Sequence, residues 1–190
     1  MKVLKNYFAK FTYKTHAILD RISYICTMKS ALHIAAFSGH RSYDNSADDR
    51  LRSVVADLYN EGVRTFRVGM AEGFDLAAGE AVLRLMELHD DIVLEAYVPW
   101  PLFSSRFDVE NRKKYNTIIA KAHVIRYAGF AFQSNIFHLR NDMLVDGVGY
   151  LVAWWNGARS GTGYTVGRAR RQHAHIINLH PSSAVEQTLL

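Results

Sequence analysis

The chain has 190 residues, 49% hydrophobic and 22% charged, which suits one soluble globular domain with a sizeable core. It has no run of about 18 uncharged apolar residues, so no membrane span is expected. Its single cysteine, Cys26, excludes an internal disulfide and fits a reducing, cytoplasmic setting.

The net charge of +5 is uneven. Residues 1–27 carry Lys2, Lys5, Lys10, Lys14 and Arg21 against Asp20, a balance of +4, and the remainder is near neutral at +1. On that ground nucleic acid is not an expected partner of the body. Residues 1–27 read as a basic N-terminal extension, and residues 28–190 as the folded domain. Charges at positions 10, 14, 20 and 21 interrupt the apolar stretches, so no secretory core segment is expected. Two readings of the extension stand: an appended segment ahead of a body that begins near Met28, or an amphipathic helix for a membrane surface or a partner.

From residue 31 strand-like and helix-like stretches alternate. "LHIAAFSG" (32–39) is a short apolar run ending in glycine, as a buried parallel strand would. "SADDRLRSVVADLYNEG" (46–62) predicts a helix capped by Ser46, with Leu51, Val54, Val55, Leu58 and Tyr59 as its buried stripe. "TFRVG" (65–69) is the second strand, "FDLAAGEAVLRLMEL" (74–88) the second helix, and "DIVLEAYVP" (91–99) the third strand. A polar helix over about 107–121 faces inward through Tyr115, Ile118, Ile119 and Ala122, before the strand "HVIRYAG" (123–129). A helix over about 134–146 leads to "GYLVAWWNG" (149–157), then "GTGYTVGRARRQ" (161–172) as a helix and "HIINLH" (175–180) as the last strand. The alternation predicts an α/β fold: a doubly wound, mostly parallel open sheet of about six strands. Such sheets bind ligands outside the carboxyl ends of their strands, where the strand order reverses.

The loops at those ends hold the candidate site. In "NGARSGTG" (156–163), Gly157, Gly161 and Gly163 give backbone freedom, Ser160 and Thr162 give hydroxyls, and a helix N-terminus follows. Together they suit an anion, most naturally a phosphate. In "SGHR" (38–41), Gly39 allows close backbone approach, Arg41 can grip a phosphate, and His40 can cap or donate. In "VGMAEGFD" (68–75), Gly69 ends a strand, Gly73 starts a helix, and Asp75 either braces the neighbouring loop or meets a ligand. "LRNDMLVD" (139–146) brings Arg140 and Asn141. "HAH" (173–175) has no cysteine or acid at ligand spacing, so no metal is expected. Trp154 and Trp155 should face opposite sides of their strand.

"AAFSGHR", "VGMAEGFDLAAGEAVL", "LRNDMLVD" and "WWNGARSGTGYTVGRARR", in that order, resemble the YpsA-like branch of the SLOG superfamily, over roughly residues 31–180. That superfamily joins the SMF/DprA and LOG proteins on a Rossmann-like sheet. The resemblance implies binding of a nucleotide or nucleotide-derived ligand, in a regulatory or sensing role. The LOG branch cleaves nucleoside monophosphates and carries PGGxGTxxE; Arg140, Gly161 and Thr162 match its pattern, but Thr165 stands where its Glu would be, and Ala158 and Arg159 replace its paired glycines. An N-glycosidase or phosphoribohydrolase is therefore the alternative. The expected partner is a nucleotide-type small molecule. No cofactor is assigned, and a homo-oligomer is left open.

Overall fold

The computed structural model describes residues 33–182, so the extension read over residues 1–27 lies outside them. In chain order the elements are β1 (Ile34–Gly39), α1 (Asp48–Asn60), β2 (Thr65–Val68), α2 (Phe74–Met86), β3 (Val93–Val98), a 3-10 turn (Phe103–Arg106), α3 (Val109–Lys121), β4 (Val124–Tyr127), α4 (Ile136–Val145), β5 (Tyr150–Trp154), α5 (Gly161–Arg171) and β6 (His175–Asn178).

The strands form one sheet in the order β4-β3-β2-β1-β5-β6. Every neighbouring pair is parallel, so the sheet is fully rather than mostly parallel. The chain steps outward from β1 to β4, then returns across the sheet to place β5 beside β1. The order therefore reverses between β1 and β5.

Alternate residues of the central strands feed two cores, as a strand buried on both faces requires. Ala35 and Phe37 of β1 join Val152 and Trp154 of β5 in one core, with Leu51 and Val55 of α1, Leu76 and Val82 of α2, and Tyr115 and Ile118 of α3. Ala36, Leu151 and Ala153 face the other core, against Leu144 and Val145 of α4 and Val166 and Ala169 of α5. Trp155 packs on this second core, so the tandem tryptophans do point to opposite faces. Gly79 of α2 meets α3 rather than the sheet: a Cβ there would lie 2.5 Å from Ile118 Cδ1. Among the described residues no helix is long and apolar enough to cross a membrane.

One local expectation changes. Ser46 does not cap α1; the N-cap position is Ala47. The buried Tyr43 hydroxyl accepts from Ala47 N at 3.2 Å and donates to the Asp48 carboxylate at 2.7 Å. Ser46 N instead donates to Asp44 at 3.1 Å. The aromatic ring of Tyr43 is drawn into the core against Phe74 and Trp154, and its hydroxyl arrives at the helix start with it.

Candidate functional site

A cleft of about 330 Å³ opens where the strand order reverses, at the carboxyl ends of β1 and β5. Nine of the residues read from the sequence line it: Gly39, His40, Arg41, Asp75, Arg140, Asn141, Ser160, Gly161 and Thr162. Ser38, Ala71 and Phe137 join them. Gly69, Gly73 and Gly157 do not line it.

The floor is a buried ion pair. Asp75, in the first turn of α2, is 1% exposed, and Arg140 of α4 is 6% exposed. Arg140 Nη1 donates to Asp75 Oδ2 at 3.3 Å. Asp75 Oδ1 also accepts from Gly39 N at 3.1 Å, and Oδ2 from Ala71 N at 3.3 Å. One carboxylate thus ties the end of β1, the loop after β2 and the helix α4 together. Burial pushes the Asp75 carboxyl above the ordinary carboxylate range, against the pull of Arg140 and the two amides. Burial likewise pushes the Arg140 guanidinium down. Both shifts run in the direction that burial drives, opposed by the attraction within the pair.

The glycines of these loops serve this packing. A Cβ on Gly69 would collide with the Arg140 guanidinium and the Asp75 carboxylate. A Cβ on Gly39 would run into the side chain of the fully buried Phe74. Gly73 has φ +79, and a Cβ there would sit 2.5 Å from the carbonyl oxygen of Arg41. Packing against Phe74 therefore requires glycine at position 39, which also lines the cleft. Gly157 has φ +86 and nothing within 4 Å of where a Cβ would stand, so it is its backbone conformation that favours glycine there.

The far wall is the N-terminus of α5. Ser160 is its N-cap: the hydroxyl accepts from Gly163 N at 3.1 Å and donates to Ala158 O at 3.3 Å. The Ser160 hydroxyl is thereby engaged in the helix start. The amides of Gly161 and Thr162, in the first turn, have no acceptor among the described residues, and the helix dipole adds partial positive charge there. Two buried polar atoms of neighbouring residues also have no partner among the described residues: Arg140 Nε and Asn141 Oδ1.

The near wall is the loop after β1. His40 Nε2 lies 2.9 Å from Asn156 Oδ1, latching this loop to the one after β5. His40 N donates to Trp154 O at 3.3 Å, reinforcing the latch. The exposed Arg41 lays its guanidinium 5.7 Å from the ring centre of Phe137. Phe137 is not legible in the sequence as a site residue. Its only signal there is its place three residues before Arg140 on one helix.

The YpsA family model, described as the YspA SLOG family, matches residues 31–175. The chain belongs to this family. No curated relative matches it. Among solved structures, the YpsA-family chain is similar to DNA processing protein A (DprA) from Streptococcus pneumoniae, with 20% identity and TM-score 0.60. That match covers 79% of this chain and 50% of the other, so the chain spans about half the length of the Streptococcus protein. It is also similar to DNA processing protein A from Helicobacter pylori, with 16% identity and TM-score 0.59, covering 85% of this chain and 75% of that one. These likenesses establish a shared Rossmann-like fold.

They also correct one expectation, that a near-neutral body has no nucleic-acid partner. The Helicobacter protein, on the same fold, is described by its single-stranded DNA binding mode. Net charge is a weak criterion because a cleft concentrates its own field. In this YpsA-family chain, Arg41, Arg140 and the α5 N-terminus line one cleft with a single carboxylate among the described residues, Asp75.

The carboxylates sit poorly for LOG-type hydrolysis. Thr165, at the position of the LOG Glu, is fully buried and donates to Gly161 O at 2.9 Å. Glu80 faces Lys114 of α3 at 3.3 Å, outside the cleft. Asp75 is the one carboxylate lining the cleft among the described residues, and both its oxygens are engaged.

Proposed function

We propose that this cleft binds the phosphate of a nucleotide or nucleotide-derived ligand, in a sensing or regulatory role within the cytoplasm. The observation that carries the reading is the convergence of donors on one cavity. Gly161 and Thr162 of the first turn of α5, the exposed Arg41 and Arg140 all line it, and the buried Arg140 Nε has no partner among the described residues. An anion answers all three. The volume lies at the lower end of small-ligand pockets. Binding is favoured over hydrolysis because the cleft's one carboxylate is already spent on structure, and a general base must be free to take a proton.

Gly161→Ala and Arg41→Ala test it. Only Asn141 Nδ2, at 3.9 Å, approaches a Cβ at position 161, and Arg41 is exposed, so both variants should fold as the wild type does. AMP, NAD, ADP-ribose and inorganic phosphate are compared by thermal shift. A ligand at about 100 times its Kd stabilises the wild type by about 2.7 kcal/mol. Both variants should lose that gain. A nucleotide that stabilises all three proteins equally would place its phosphate elsewhere and defeat the proposal. Fractionation of cells checks the location.

A second reading places a phosphate of a single-stranded nucleic acid in the same cleft. The Helicobacter likeness favours it, as do Phe130 and Phe132, 97% and 64% exposed on the loop between β4 and α4, since exposed aromatics suit base stacking. An oligothymidylate arm in the same panel separates the two: binding by the oligomer but not by mononucleotides supports the strand.

A further inference from the structure

The donors in the cleft account for a phosphate, but one of its atoms asks for something a phosphate lacks. Asn141 sits beside Arg140 on α4, 5% exposed, and lines the cleft. Its Nδ2 donates to the Gly161 carbonyl at 3.4 Å. That carbonyl can only accept, so it orients the amide: nitrogen toward α5, oxygen away from it. The carbonyl is itself held in place, accepting from Thr165 Oγ1 at 2.9 Å. Asn141 Oδ1 is left buried and has no donor among the described residues.

A phosphate dianion carries acceptors alone. It satisfies the amides of Gly161 and Thr162 and the Arg140 Nε, and it cannot satisfy Asn141 Oδ1. The acceptor lies next to the phosphate donors, because Asn141 adjoins Arg140 in sequence and touches Gly161 in space. A hydrogen-bond donor carried close to the phosphate on the same ligand would answer it. In a nucleotide, the sugar hydroxyls meet that description; the base is held farther off, beyond the sugar.

We infer that Asn141 Oδ1 accepts a hydrogen bond from a ribose hydroxyl, so that the site selects phosphorylated ribose compounds over their deoxy counterparts. This rests on the phosphate-binding proposal above. A buried polar group built to meet a hydroxyl rejects the analogue that lacks it, because that analogue leaves the group desolvated and unpaired.

The test is calorimetric titration of the full chain with AMP, 2′-deoxy-AMP, 3′-deoxy-AMP, ribose 5-phosphate and IMP. At least one deoxy analogue should bind about tenfold or more weakly than AMP. Ribose 5-phosphate and IMP should show measurable binding, since they keep the phosphate and both hydroxyls. Asn141→Leu keeps a similar volume and removes the acceptor, so it should bring AMP and its deoxy analogues to equal affinity. Should that variant fail to fold, the wild-type ratios still decide. Equal wild-type affinity for AMP and both deoxy forms overturns the ribose assignment and leaves the phosphate reading standing. Loss of affinity with IMP but with neither deoxy form makes the donor the base amine, which also overturns it. No binding by AMP or ribose 5-phosphate removes the phosphate reading for these ligands and this inference with it.

Discussion

Asp75→Ala should lower the unfolding free energy by about 3–5 kcal/mol in urea denaturation. The substitution leaves the Arg140 guanidinium, 6% exposed, without its counter-charge, and leaves the amides of Gly39 and Ala71 without their acceptor. Each buried donor so stranded carries its own desolvation cost of about 1–3 kcal/mol. Adding Arg140→Met to Asp75→Ala should recover part of the loss. The carboxyl is held above its ordinary range and the guanidinium below its own, both chiefly by burial. Halving a buried ion pair costs more than replacing both partners with apolar groups, because it leaves one charge uncompensated. A double variant as unstable as the sum of the two singles would show that the residues do not act as a pair.

Gly73→Ala should cost at least about 3 kcal/mol, or prevent folding. Two separate penalties meet there. The residue has φ +79 with ψ −125, a region costly to any residue with a Cβ. The added carbon would also sit 2.5 Å from Arg41 O and 2.8 Å from His40 O, backbone atoms that cannot rotate away. The His40 carbonyl is also held in place, accepting from Tyr43 N at 3.3 Å and Phe74 N at 3.4 Å. Gly161→Ala is the control from the same cleft, with only Asn141 Nδ2, at 3.9 Å, near its Cβ, and should melt within a few degrees of the wild type. A Gly73→Ala protein that melts with the wild type would mean that the two loops do not meet as described.

Most of the architecture was determined by local sequence. Buried parallel strands need short apolar runs, and "IAAFSG" and "YLVAW" are such runs; helices over a sheet need a 3.6-residue stripe, which Leu51, Val55 and Leu58 supply. The motif order and the glycine-ended strands also identified the loops that form the cleft, and Ser160 at the start of α5 is a cap that residue type alone suggests.

What tertiary structure decided is what each loop residue does. Asp75 and Arg140 are 65 residues apart, and His40 and Asn156 are 116 apart. Nothing local pairs them; the return of the chain from β4 to a place beside β1 does. The same return makes Gly39 a seat for Phe74 and Gly69 a seat for the ion pair. It also directs Phe137 to the cleft and lets Tyr43 displace Ser46 at the start of α1. Local pattern reports which face of an element is apolar, because that depends on neighbours a few residues away. Which polar groups meet depends on strand order, and strand order is set by the burial of both sheet faces at once.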